Sequence, residues 1–372
     1  MGRFESGGNS EAFSTLAPLM NQRIDVIQLL RGFAALMVCC FHMKGILKDS
    51  LWGKMLFQNG SLGVPLFFMI SGFILYVTTA KAQIKPTFIG KFALKRLLRI
   101  VPLYYLLTFL YLAVHSNLSL YLIDNPRWLM PMFFFYPSYL GFTGPSYGFP
   151  PLAVGWSLNY ELYFYLLLAI TMFAGKWRWM LFSGIILVSV FVVPLITNGY
   201  VMQHLSQWYA YPLPYFSLMT NPVLLFFLAG VGLGWFHQVK HPLKHRFLAD
   251  LLMLLAAANF IFTYLGFYQI FPGFWSSFFN SGVLLFAIIW RNKIKAFEPK
   301  RWLIYLGDIS FSLYLIHPIV LSFLPKLIRS LGFTVKLSGW GYFAVALLAI
   351  LICSAMSFQL IEKNLNRLAK QI

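Results

Sequence analysis

The chain has 372 residues, of which 59% are hydrophobic and only 10% charged, and its mean hydropathy is +0.72. A soluble domain usually carries about 25% charged residues, so an ordinary soluble fold is excluded, and the lack of alternating ten-residue segments excludes a membrane β-barrel. The net charge of +19 would suggest a nucleic-acid partner for a soluble protein. In a chain of apolar runs it reads as cationic cytoplasmic loops, with no nucleic acid involved.

Residues 1–23 are polar and mixed, without a signal-peptide apolar core, and are expected to form a short cytoplasmic tail. Apolar spans long enough to cross a hydrocarbon layer of ~30 Å then follow at 24–45, 62–80, 97–115, 152–174, 179–197, 219–237, 249–267, 274–291, 305–325 and 339–361. The proline-broken piece 127–142 is expected to be re-entrant or interfacial. Cys39, Cys40 and Cys353 all lie in apolar runs, which argues against a disulfide framework. Adjacent Cys39 and Cys40 would diverge on a helix, so no metal site is expected there. Gly230, Gly232 and Gly234 sit inside one span, where they suggest close helix packing rather than a nucleotide loop. His115, His204, His237, His241 and His245 fall in loops or at span ends.

The basic residues alternate with the spans. With the N-terminus placed inside, the inside segments hold Arg3 and Arg23; Lys81, Lys85, Lys91, Lys95, Arg96 and Arg99; Lys176 and Arg178; Lys240, Lys244 and Arg246; Arg291, Lys293, Lys295, Lys300 and Arg301; and Lys363, Arg367 and Lys370. The outside segments hold only Lys44, Lys48, Lys54, Arg127, Lys326, Arg329 and Lys336. This bias predicts an all-α, polytopic helical membrane protein in the inner (plasma) membrane, with about ten transmembrane helices and both termini cytoplasmic. One transmembrane domain, 24–362, is expected between the tail 1–23 and a cytoplasmic tail, 363–372.

Ionisable residues within membrane helices are costly and mark candidate sites. In chain order they are Asp25, Arg31, His42, Glu161, Asp308 and His317. Asp25 also fits the start of the first span, snorkelling to the interface. Arg31 and His42 are eleven residues apart, within about 20° of the same helix face and ~16 Å apart along the axis. A polar stripe of this kind must face the protein interior or a water-filled cavity, either as a buried interhelical clamp or as a working site. Arg96 and Arg99 share a face at the cytoplasmic mouth of the third span. They serve either as positive-inside flanks or as forked donors for phosphates. In GWSLNYELYFY, 155–165, Ser157 and Glu161 form an i, i+4 pair. Glu161 needs a partner from another helix, which Arg31 or His42 could supply. Trp156 and the tyrosines suit an aromatic belt or a sugar platform. In LGDISFSLYLIHPIV, 306–320, Asp308, Ser310 and Ser312 lead to His317, either as helix-to-helix hydrogen bonds or as part of a site.

These segments together resemble the acyltransferase-3 family of membrane acyltransferases, over roughly residues 24–362. The resemblance rests on Arg31 and His42 in the first span, GVPLFFMISGF at 63–73, Arg96 and Arg99 ahead of Pro102 and Tyr104, Trp156 to Tyr165 with Glu161 in register, and Gly307 to His317. The chain departs from the family pattern at Pro65, where an aspartate is frequent, and at Gln28, which is common among members acting on exopolysaccharides. The resemblance implies transfer of an acyl group, most simply acetyl, from cytoplasmic acyl-CoA to a hydroxyl of a polysaccharide or lipid-linked glycan at the cell envelope. Acetyl-CoA would be a co-substrate, with no permanently bound cofactor and no metal. His42 would act as base or transient acyl carrier, Arg31 as oxyanion or donor contact, and Glu161 would orient His42. Arg96, Arg99 and Tyr104 would bind the donor, and Trp156, Ser157, Asp308 and His317 the acceptor. The rival reading is a transporter or flippase for a glycan or anion. It would call for an internal repeat and discontinuous helices, and no repeat is visible.

Overall fold

In a computed structural model of the chain, the described residues are 24–115, 133–137, 143–148, 151–209, 211–240, 245–268, 273–333 and 338–372. The expected tail 1–23 and most of the piece 127–142 lie outside them, as do the side chains of His115 and His241. Among the described residues every regular element is helical. In chain order these are α1 (Asp25–Met43), α2 (Leu51–Phe57), α3 (Gly63–Thr79), α4 (Pro86–His115), α5 (Trp156–Met172), α6 (Arg178–Leu187), α7 (Val193–Asn198), α8 (Pro214–Met219) and α9 (Val223–Gln238). They continue with α10 (Arg246–Tyr264), α11 (Gly273–Ile294), α12 (Arg301–Asp308), α13 (Ser310–Ser330), α14 (Trp340–Ser357) and α15 (Lys363–Gln371).

Among these residues eight helical stretches are long and apolar enough to cross a membrane, by length and composition: Asp25–Leu47, Leu51–Thr79, Pro86–Val114, Gly175–Asn198, Arg246–Tyr264, Gly273–Ile294, Ser310–Ser330 and Trp340–Gln371. The spans expected at 152–174 and 219–237 are realised as shorter helices, α5 of 17 residues and α9 of 16. The span expected at 305–325 is broken. Its chain turns at Ile309, so α12 ends at Asp308 and α13 starts afresh at Ser310. The break follows from packing. Gly307 lies against the backbone of Gln28, and Gly32 lies against Leu306 and Gly307. Two glycines let α12 and α1 approach backbone to backbone, and the chain re-aims after that contact.

The α3–α9 pair uses the same device. A side chain on Gly72 would meet the Phe227 carbonyl, one on Gly230 the Met69 carbonyl, and one on Gly234 would crowd Tyr76. Gly232 meets open space. The expected packing role therefore belongs to Gly230 and Gly234, and Gly232 points away from the contact.

Helix ends are finished by neighbours. Ser50 accepts from the Gly53 N–H at 3.1 Å and caps α2. The buried Arg178 guanidinium donates to the carbonyls of Gly175 (2.8 Å), Thr79 (3.1 Å) and Ala80 (2.5 Å), closing the C-terminus of α3. Lys293 donates to the carbonyls of Phe236 (3.2 Å), His237 and Val239 (2.9 Å) at the end of α9. Both residues were expected only as cytoplasmic flanking charges. A cation at a helix C-terminus also satisfies orphan carbonyls and the dipole.

Candidate functional site

A cavity of ≈ 60 Å³ opens between α1, α3, α4, α5 and α13. Its polar wall is made by Arg31, Ser71, Arg99, Ser157, Glu161 and Tyr314, and its apolar wall includes Phe67, Phe68 and Phe311. Arg31 and Arg99 come from two helices that are far apart in sequence. Arg31 donates from Nη1 to Gln28 Oε1 at 3.1 Å, a bond one helical turn back that steadies the side chain. Among the described residues no carboxylate is in direct ion-pair contact with either guanidinium. Both remain in the electrostatic field of Glu161 and Glu362. Two like charges thus share one cavity, balanced at a distance, with donors free to take a ligand oxygen.

Glu161 accepts from the Tyr165 hydroxyl one turn along α5. The Arg96 guanidinium lies over the Tyr165 ring at 5.1 Å and over the Phe92 ring at 5.4 Å, both cation–π distances. Arg96 and Arg99 therefore part company. Arg99 lines the cavity and Arg96 stacks on aromatics at its edge.

From Ser157 a chain of contacts leads along α13. Ser157 Oγ and the Tyr314 hydroxyl are 2.8 Å apart, and Tyr314 donates to the Val154 carbonyl at 2.7 Å. Ser157 Oγ also lies 3.3 Å from the same Val154 carbonyl, so the two hydroxyls share one acceptor. The rings of Tyr314 and His317 are 6.1 Å apart, and those of His317 and His42 are 5.0 Å apart at 43°. His42 is exposed and His317 is fully buried. The His42 end of α1 thus lies beside α13, with Tyr314 between the cavity and the histidines.

The ring packed on His42 is His317, and Glu161 is engaged with Tyr165. Glu161, expected to orient His42, lies in the cavity wall with Tyr165 as its hydrogen-bond donor, and the ring beside His42 is that of His317. Tyr104, expected at the donor site, is fully buried against Phe135, with ring centroids 4.9 Å apart, and is not in the cavity wall. Trp156 packs on Phe68 (6.3 Å) and Tyr160 (6.0 Å) behind the wall. Asp308 is half-buried at the end of α12, outside the wall.

Sequence reading missed Ser71, Tyr165, Tyr314 and Glu362. Tyr314 is within the quoted 306–320 segment, and its i, i+3 spacing to His317 was a usable signal. Glu362 is 5% exposed and closes a π-helical turn, Phe358–Glu362. It accepts from Ser312 Oγ at 2.8 Å, and Ser312 lies 3.3 Å from Ser357 Oγ. A carboxylate at the end of an apolar span, next to Lys363, looks interfacial in sequence and is not.

The sequence profile of the acyltransferase domain family matches residues 24–358. With most of the chain inside that match and the matched motifs converging on one cavity, the chain belongs to the acyltransferase-3 family and is a multi-pass membrane acyltransferase. It is also similar to the exopolysaccharide production protein ExoZ of Rhizobium meliloti (strain 1021), at 28% identity over 318 residues that cover 84% of this chain and 91% of that protein. No solved structure matches the chain.

Proposed function

We propose that this protein transfers an acyl group, most simply acetyl, from cytoplasmic acyl-CoA to a hydroxyl of an exported or lipid-linked polysaccharide at the plasma membrane. The similarity to a protein of exopolysaccharide production supports the acceptor class. The observation that carries the reading is that two guanidiniums, Arg31 and Arg99, share one cavity with Ser157 and Tyr314, and that the His317 and His42 rings follow Tyr314 outside its wall.

Each part fits a requirement of acyl transfer. Arg96, with Lys91 and Lys95 beside it in α4, presents a cationic edge suited to the phosphates of the donor. Arg31 and Arg99 hold unmade donors toward the cavity, where they suit an anionic oxygen of the donor. A sugar hydroxyl is a weak nucleophile near neutral pH, and His42 is accessible to take its proton. The proton ends on the departing thiolate as the C–S bond breaks and the ester C–O bond forms.

An acyl census of cell-surface polysaccharide by NMR tests this in cells with the protein, cells without it, and cells expressing His42→Ala at the same membrane level. Ester acetyl signals present only with the unaltered protein are expected. Signals equal in all three, with a changed amount of polysaccharide, would overturn the reading in favour of transport.

A further inference from the structure

His317 has no assigned part in the chemistry above, yet its environment is unusual for a packing residue. Its ring is fully buried in α13, on the residue immediately before Pro318. Nδ1 is 3.2 Å from the Leu313 carbonyl, which can only accept. A neutral ring at that position must carry its proton on Nδ1, and Nε2 is left with a bare lone pair. Nε2 is buried and has no hydrogen-bond partner among the described residues. Such an orphaned acceptor costs about 1–3 kcal/mol, and phenylalanine or leucine would fill the same space without that cost. The ring it packs on is His42, with centroids 5.0 Å apart. The other titratable groups facing the pair are Tyr314, 6.1 Å from His317, and Lys44, which lies over the neighbouring Phe41 ring at 3.9 Å. No described carboxylate contacts either imidazole.

We propose that His317 is a positioning and proton-holding residue that acts through His42. It would do for this histidine what a buried carboxylate does behind the base of a hydrolase triad. The proposal rests on the acyl-transfer reading. His42, the accessible ring, takes the proton from the acceptor hydroxyl. Once His42 turns its second nitrogen toward the unpartnered Nε2 of His317, a proton passes between them, so the charge is shared within the pair while the tetrahedral centre forms. When the C–S bond breaks, the proton returns through His42 to the thiolate sulfur. One proton leaves an oxygen, one arrives on a sulfur, and both histidines finish neutral. The pair then carries a single positive charge in a buried site, which burial disfavours, and the departing thiolate is basic enough to take the proton back. His317 is thereby moved from the acceptor-binding role read from sequence to one behind the base.

Two variants separate this role from a structural one. His317→Asn retains a donor at the position of Nδ1 for the Leu313 carbonyl but has no base in place of Nε2. His317→Gln places an amide near Nε2 without basicity. Membrane vesicles carrying each variant are assayed with acetyl-CoA and purified surface polysaccharide from a strain lacking the protein. Yield and detergent gel-filtration profile serve as folding controls. For both variants kcat is expected to fall by about 10²-fold or more, with KM for both substrates within about twofold. Restoration of wild-type kcat by His317→Asn would assign His317 to structure. A rise in acceptor KM with unchanged kcat would return it to substrate binding. If the unaltered protein transfers no acetyl, the acyl-transfer reading fails first; if it transfers and either result above is found, only the role of His317 fails.

Discussion

At the scale of single residues, the candidate site depends on charges that balance without touching. Arg31 and Arg99 face one cavity, Glu161 is in its wall, and Glu362 stands behind it, held by Ser312. Glu362→Gln keeps an oxygen that can accept from Ser312 and removes only the charge. The two guanidiniums then repel each other with one counter-charge fewer, and their geometry relaxes. The expected result is a fall in transfer rate on the order of tenfold, equivalent to ~1.4 kcal/mol, with near-normal thermal stability. Glu362→Ala also takes away the carboxylate acceptor of the Ser312 hydroxyl and leaves a void, and its melting midpoint in detergent should fall, reflecting a loss of about 1–3 kcal/mol. Equal rates for Glu362→Gln and the unaltered protein would show that the carboxylate is a structural acceptor only. The sequence made Arg31 and His42 legible because their eleven-residue spacing repeats a helix face. Glu362 stayed hidden because an acidic residue at a span end is ordinarily solvated. Only the tertiary position of α13 reveals that it is buried.

At the scale of helices, the fold relies on backbone-to-backbone contacts that side chains would prevent. Lipid gives helices no hydrophobic reason to associate, so close packing through small residues carries more of the load. Gly230→Ala would push a methyl group into the Met69 carbonyl, a backbone atom that cannot swing away. The α3–α9 pair must separate, at a cost of about 1–3 kcal/mol, seen as a lower melting midpoint and poorer yield after solubilisation. Gly232→Ala, two residues on and facing open space, should be neutral or slightly stabilising, since alanine favours helix by about 1 kcal/mol over glycine. Equal behaviour of the two variants would mean that α3 and α9 do not meet through Gly230. The sequence showed that a glycine cluster packs, but not which glycine does so. The three residues span little more than one turn, and the partner helix picks the contacting face. The break at Ile309 was hidden for the same reason, as nothing local in GDIS demands it. The contact of Gly307 with Gln28 does.

At the scale of the whole molecule, the short helices α5 and α9 decide the orientation. Their lengths correspond to ~26 and ~24 Å at 1.5 Å per residue, less than a hydrocarbon core of ~30 Å. Both are packed largely against other helices, so neither needs to match the full lipid thickness. If both cross, the number of crossings is even and the basic residues fall mainly on one side. If only one crosses, the termini lie on opposite sides and the charge bias is scrambled after the failed crossing. The chemistry gives the same choice a consequence. Arg96 lies in the first half of α4 and His42 at the end of α1, so under the proposed function the donor edge and the base would look to opposite faces. Acyl-CoA is found inside and exported polysaccharide outside. Single cysteines at Lys48 and Lys85, both exposed, test the arrangement in a background with Cys39, Cys40 and Cys353 replaced. Lys48→Cys should react with a membrane-impermeant maleimide in intact cells. Lys85→Cys should react only after permeabilisation, as should a cysteine placed at Lys370. Labelling of Lys85→Cys from outside would put the Arg96 edge where no acyl-CoA exists, and the path from donor to acceptor through Arg31 and His42 could not operate.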